Sequence, residues 1–148
     1  MQDRPTCHEL LEAVRHFLET QAVPALEGTS KFHARVAANV LAIVGRELTS
    51  EARQLSQEWR RLDGLLEALP MPAELDALKT ALRTRTEALC DRIRAGGADA
   101  EPFRSQVIRH VRETVLEKLA VANPKMFEQE SGLGLDPSQS RLSPAGED

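Results

Sequence analysis

Apolar residues recur every three to four positions along most of the chain, which is the period of an amphipathic α-helix. In the first such segment, Thr6 and Glu9 have the T-x-x-E spacing of a capping box, and Pro24 and Gly28 end the pattern. The apolar stripe between them is one-sided and about 120° wide. It consists of Leu10, Leu11, Val14, Phe17 and Leu18. The pattern predicts a first helix that packs by a single face.

A second segment begins after Gly28, where Thr29 or Ser30 can act as the N-cap, and runs to about Leu48. Its apolar residues cover close to half of the helix circumference, a broader arc than in the first segment. They are Phe32, Val36, Val40, Leu41, Ile43, Val44 and Leu48. The sequence therefore predicts that this second helix is the most buried one and contacts several neighbours.

Three more segments of helical period follow, each bounded by residues that start or stop helices. The third begins near Thr49 or Ser50 and stops before Pro70, the fourth covers residues 75–93 and ends at Gly96, and the fifth extends from Asp99 to Asn123. Because the connections are short, neighbouring helices should be antiparallel. The predicted fold class is all-α, an antiparallel helical bundle of about five helices with a flexible C-terminal tail.

The domain boundary is predicted where the helical period stops. Residues 1–127 form the bundle domain, while glycine, proline and serine dominate residues 128–148. Such a polar segment buries too little apolar surface to offset the entropy of ordering it. The sequence therefore predicts a disordered or loosely attached polar tail.

Composition narrows the classes of partner. Alanine, leucine, glutamate, lysine and arginine make up about half of the residues, as in long helices. The chain has no tyrosine and a net charge of −4, which disfavours a nucleic-acid partner. No apolar run reaches the roughly 20 residues of a membrane helix, and the N-terminus lacks a secretory pattern. Cys7 and Cys90 belong to no CxxC pair, so we expect free thiols in a cytoplasmic protein.

Signatures of catalysis and of cofactor binding are missing from the sequence. We find no nucleophile elbow and no phosphate-binding loop, so no catalytic residue and no cofactor are predicted. His8, Glu12 and His16 form a row at i, i+4, i+8 that could bind a metal ion, but this row is predicted to be a solvated face, and no metal is predicted.

Arginine is the abundant cation, and most arginines have a carboxylate at helical spacing. Glu113 with Arg109 is one example, and such pairs predict mixed-sign surface faces. A stripe of arginines on the fourth helix remains a second interpretation, in which the side chains face an anion. Its members are Arg83, Arg85, Arg92 and Arg94.

Polar residues within the apolar arc of the second helix are the strongest candidates for a site. His33, Asn39 and Glu47 lie in or beside this arc, and His110 and Arg112 of the fifth helix are their expected partners, together with Thr114. One interpretation is a structural network that fixes the register of the bundle. The other is a polar-lined pocket between helices that binds a ligand.

Several segments resemble a family of short bacterial proteins of unknown function. They include ELLEAV at residues 9–14, FHARVAANVL at 32–41 and LEKLAVANP at 116–124. The resemblance spans residues 2–127 and leaves the tail outside. It implies genes encoded beside aminoglycoside-phosphotransferase-like kinases and acyl-CoA dehydrogenases, and it implies no catalytic residues.

The resulting functional prediction is a non-catalytic accessory or protein-interaction module linked to acyl-CoA or hydroxy-acid catabolism. Its expected partner is the kinase or the dehydrogenase, and its oligomeric state is left open. The alternative is a small-molecule-binding bundle or cryptic enzyme with a polar pocket beside the second helix.

The predicted tail gives a first test. Deletion of residues 129–148 should leave helix content and the thermal midpoint almost unchanged, because this segment has no periodic apolar face that could dock. Far-UV circular dichroism of the full chain and the truncated chain measures both quantities. A drop of several degrees would show instead that Leu133, Leu135 or Leu142 packs on the bundle.

Overall fold

The computed structural model describes residues 4–126, which contain five α-helices and one π-helical turn. The α-helices are α1 (Cys7–Phe17), α2 (Val23–Ala25), α3 (Gly28–Asp63), α4 (Leu75–Arg94) and α5 (Phe103–Ala122), and the π-helical turn covers Leu18–Ala22. No β-strand occurs in these residues. The predicted all-α class with about five helices is confirmed. The predicted tail, residues 128–148, lies outside the described residues.

The first predicted helix begins where the capping box places it. The Thr6 hydroxyl accepts a hydrogen bond from the Glu9 amide (3.2 Å), and the Glu9 carboxylate accepts one from the Thr6 amide (2.7 Å). The helix then passes through the π-helical turn, in which the Val23 amide donates to the Leu18 carbonyl. Pro24 lies in the first turn of α2, where its missing N–H group is tolerated.

The predicted boundary between the second and third helices does not exist. α3 is one continuous helix of 36 residues that includes both predicted segments. The Thr49 hydroxyl donates to the Gly45 carbonyl and the Ser50 hydroxyl donates to the Arg46 carbonyl, each at 2.9 Å. Both side chains are thus satisfied inside the helix and do not cap a new one. α3 is long, but neither it nor another helix in residues 4–126 combines the length and the apolar character that a bilayer crossing requires.

The buried core lies beside the C-terminal half of α3. Leu62 is completely buried at its centre, and side chains from α4 and α5 pack around it. The core consists of Trp59, Leu62, Leu65, Leu78, Leu82, Leu89 and Val107. The helix predicted to be most buried, the N-terminal half of α3, therefore contributes none of these residues.

α5 runs antiparallel to α3, as the sequence predicts for neighbouring helices. Arg46 Nε donates to the Val121 carbonyl (2.7 Å), and Gln54 Nε2 donates to the Glu117 carbonyl (3.3 Å). Farther along α3, Arg61 contacts the Glu117 side chain and then Thr114. Residue numbers rise in α3 as they fall in α5, and the C-terminal end of α5 lies beside the middle of α3.

α4 differs from this prediction, because it runs in the same direction as α3. Lys79 pairs with Glu51 (2.6 Å) and Arg85 pairs with Asp63 (2.7 Å), so residue numbers rise together in the two helices. The connecting residues 64–74 lead the chain back along α3, and Trp59 Nε1 donates to the Leu69 carbonyl on this path (3.2 Å). We call residues 64–74 the return segment.

Two arginines of α4 hold the return segment in place and do not form the anion-facing stripe considered above. Arg85 is buried, lies 4.4 Å from the centroid of the Trp59 ring and donates to the Glu67 carbonyl (2.9 Å). Arg92 lies 3.8 Å from the centroid of the Phe103 ring and donates to the Leu65 carbonyl (2.6 Å). Each guanidinium thus combines a cation–π contact with a hydrogen bond to an otherwise open carbonyl.

Within residues 4–126, the helical segments that pack against the N-terminal half of α3 are α1, the π-helical turn and α2. The His8 imidazole lies against Gly45, and Ala34 and Ala38 are the other buried residues of this half. The large apolar side chains of this half are half-buried or exposed, and Phe32 is 62% exposed. The expectation of a deeply buried second helix is therefore wrong, because α4 and α5 do not extend alongside this part of α3.

The continuity of α3 can be tested with matched threonine substitutions. Thr49→Ala should be neutral or stabilising by a few tenths of a kcal/mol, because alanine is the better helix former in a helix interior. Thr6→Ala removes a capping hydroxyl and should cost about 1 kcal/mol. Urea unfolding followed by circular dichroism measures both changes. A loss of about 1 kcal/mol at Thr49 as well would indicate that a helix starts there.

Candidate functional site

The residues that the sequence singles out do not meet at one place in the structure. His33, Asn39 and Glu47 lie exposed along α3, and Arg112 lies exposed on α5. His110 alone is buried, with 6% of its surface accessible. A site formed by all of them is therefore not assembled in this fold.

The expected burial of Asn39 and Glu47 is wrong. Asn39 borders a shallow cleft together with Glu19 and Arg35, and Glu47 borders a different cleft between α3 and α5. Neither side chain has the cross-bundle hydrogen bonds expected for it within the described residues. The hydroxyl of Thr114, one of the expected partners, accepts a hydrogen bond from Arg61.

Arg61 is the polar centre of the contact between α3 and α5. Its guanidinium donates to both carboxylate oxygens of Glu117, at 2.6 and 2.9 Å, and lies 3.5 Å from Glu113. The hydrogen bonds that Arg61 donates to Glu117 raise the pKa of Arg61, although partial burial acts in the opposite direction. A bidentate, partly buried pair of this kind fixes the register of the two helices.

Helical spacing pairs Glu113 with Arg109 on the same helix, so the pair of Arg61 and Glu117 was not predicted. A signal was nevertheless present. Glu113 and Glu117 are spaced i, i+4 and therefore lie on one face of α5. Two carboxylates on one face indicate a cation on the facing helix, which is Arg61.

His110 lies beside this ion pair. Burial lowers the pKa of its imidazole from the ordinary value of 6.5, and the positive charge of Arg61 lowers it further, while Glu113 and Glu117 act in the opposite direction. Its Nδ1 atom is buried and has no hydrogen-bond partner in the described residues. The imidazole is therefore held in its neutral form, next to a cleft between α3 and α5 that it helps to line.

The pair formed by α1 and the N-terminal half of α3 is an antiparallel hairpin, and one of its two edges is polar. Glu12 accepts hydrogen bonds from Arg15 (2.6 Å), and this contact lowers the pKa of the Glu12 carboxyl. Arg15 also donates to Glu19 (2.7 Å). Glu12 is thus engaged by an arginine, and no group of three metal-ligating side chains occurs within residues 4–126.

The opposite edge of the hairpin is apolar and exposed. At about 100° per residue, Leu10, Val14 and Phe17 lie on the side of α1 that faces away from Glu12. The antiparallel arrangement places them next to the flank of α3 that carries Val40 and Leu48. Leu41 and Val44 lie half-buried between the two helices. We call the exposed set the hairpin surface, and it consists of Leu10, Val14, Phe17, Val40 and Leu48.

The fold and its clefts describe an all-helical domain with a three-helix core and a projecting helical hairpin. A family model described as "Domain of unknown function (DUF6285)" matches residues 24–126, and the chain belongs to this family. The match includes α3, α4 and α5 and leaves α1 outside. Searches of curated proteins and of solved structures found no match.

The buried histidine predicts a pH dependence of stability. The pKa of His110 is lower in the folded than in the unfolded chain, so the unfolded chain binds a proton first as the pH falls through 6.5. The free energy of unfolding therefore decreases as the pH falls below this value. We therefore expect His110→Phe to lose less unfolding free energy than the wild type between neutral pH and about pH 5.

The matched control for this experiment is His33→Phe, which removes an exposed imidazole from α3. The unfolding free energy of this variant should change with pH as that of the wild type does. Urea unfolding at each pH measures the difference. Equal slopes for the wild type and His110→Phe would contradict a neutral, buried His110.

Proposed function

We propose that this protein is a non-catalytic accessory module that binds a partner protein through the hairpin surface. The observation that carries the proposal is the exposure of large apolar side chains on two adjacent helices, in a part of the chain that contributes no residue to the core. Contiguous apolar patches on a soluble domain mark interaction sites, whereas scattered apolar residues are ordinary.

The hairpin surface has the form of a helix-packing site. Its α1 residues are spaced i, i+4, i+7, which is the spacing by which one helix contacts another. Each of its side chains is about half exposed. Burial of the exposed half contributes about 1 kcal/mol for each residue. A partner that presents an apolar helix face or groove of similar size would cover it.

The polar edge of the hairpin supports a defined orientation of this partner. Arg15, Glu12 and Glu19 form a charged ladder along the edge of α1 that the apolar residues leave free. A docked helix would therefore cover the apolar edge and leave the charged edge in solvent. Such an arrangement specifies which side of the hairpin is covered.

The family resemblance supplies the proposed partner. It points to an aminoglycoside-phosphotransferase-like kinase or an acyl-CoA dehydrogenase of a bacterial cell, and therefore to acyl-CoA or hydroxy-acid catabolism in the cytoplasm. The module would hold or regulate this enzyme and would contribute no reacting group. The alternative, a ligand pocket beside the N-terminal half of α3, has less support because His33, Asn39 and Glu47 lie apart and exposed.

A matched pair of charge substitutions tests the hairpin surface. Val14 on α1 and Val111 on α5 are 51% and 50% exposed, so Val14→Asp and Val111→Asp perturb the free protein to a similar extent. We expect Val14→Asp to weaken complex formation with the kinase or the dehydrogenase at least about tenfold, because a buried carboxylate would lie in the interface. Val111→Asp should bind as the wild type does.

The assay mixes purified full-length chain with each enzyme and measures the mass of the complex by size-exclusion chromatography with light scattering. No complex with either enzyme at micromolar concentrations would overturn the proposal. Equal loss in both variants would also overturn it, since the hairpin surface would then have no special role. A dimer of the chain alone that Val14→Asp disrupts would assign the surface to a second copy and not to a partner enzyme.

A further inference from the structure

A cleft between the C-terminal end of α3 and the first half of α5 has the features of a ligand site. This cleft is separate from the hairpin surface. Its volume is about 240 Å³. The walls include Leu65 and the buried His110, and three arginines and a glutamate surround the opening. These four residues are Arg60, Arg61, Arg109 and Glu113.

The three arginines are not equivalent. Arg61 is neutralised, because it pairs with Glu117 and lies 3.5 Å from Glu113. Arg60 and Arg109 form no ion pair within residues 4–126, although they border the same cleft from opposite helices. The one carboxylate that lines the cleft, Glu113, is already oriented towards Arg61. The cleft therefore keeps a net positive charge that the protein itself does not compensate.

We propose that this cleft binds a small oxyanion, a carboxylate or a phosphate group, between Arg60 and Arg109. A guanidinium offers parallel N–H donors that match two oxygens of either group, and two guanidinium groups on opposite walls can contact one anion from both sides. Arg61 lines the same cleft, and its pair with Glu117 holds α3 and α5 together there.

The dimensions limit the ligand to a small one. A cleft of about 240 Å³ has the volume of roughly eight water molecules and is smaller than the pockets that enclose drug-sized ligands. Inorganic phosphate or a short organic acid fits this space, and Leu65 offers a short apolar surface to the carbon atoms of an acid. His110 adds a buried polar wall, and its Nδ1 atom has no hydrogen-bond partner in the described residues.

The test is a titration of the full-length protein with inorganic phosphate and, separately, with acetate, at constant pH and ionic strength with chloride as the balancing anion. The imidazole resonances of His110 in the NMR spectrum are the readout. We expect a saturable shift with at least one of the two anions. Saturation by phosphate alone assigns a phosphate site, and saturation by acetate assigns a carboxylate site.

Substitution of one arginine connects the shift to the proposed contact. Arg109→Gln should weaken binding about tenfold, which corresponds to the loss of one hydrogen bond to a charged group. The matched control is Arg104→Gln, an exposed arginine of the same helix that does not line the cleft, and it should bind as the wild type does. No saturable shift with either anion, or equal affinities of Arg109→Gln and the wild type, would overturn the proposal.

Discussion

The length of α3 is the constraint on which the rest of the structure depends. A continuous helix of 36 residues is about 54 Å long, whereas α4 and α5, with 20 residues each, reach about 30 Å. Helices of such unequal length cannot share one core along their whole extent. The core therefore forms beside one half of α3, and within residues 4–126 the other half has α1 and its short extension as neighbours. Both the exposed hairpin surface and the cleft at the opposite end follow from this inequality.

Sequence periodicity identified the helices but could not assign the neighbours of each helix. Phe32 and Val36 repeat at helical spacing and thus belong to an apolar face, yet the same spacing occurs whether a face packs inside the chain or remains exposed. The role of the hydroxyls of Thr49 and Ser50 is equally ambiguous in the sequence. Such side chains can cap a new helix or donate to a carbonyl four residues earlier, and the choice depends on whether the backbone continues. Local sequence does not contain this information.

The polar contacts also include some that the sequence predicts and others that depend on how the helices pack. The sequence predicts His110 as a polar partner on the fifth helix, and the structure buries it. Arg61 was not recognised, because its carboxylate partners lie more than fifty residues away and only the antiparallel packing of α5 brings them together. Arg85 shows the same effect, since its contact with the Trp59 ring requires α4 to lie beside α3. Spacing pairs Glu113 with Arg109, whereas the packing of α5 on α3 turns Glu113 towards Arg61, so charges paired between helices require the topology.

The return segment has a consequence for the order in which the chain folds. Because it brings α4 back beside α3, nearly all of the core comes from one continuous stretch of sequence between Leu55 and Ile93. Contacts between residues that are close in sequence form with a small entropic cost of loop closure. We therefore expect this stretch to be the folding nucleus, on which α5 docks by its longer-range contacts. The hairpin of α1 and α3 can then form at its own rate, because it shares only the backbone of α3 with the nucleus.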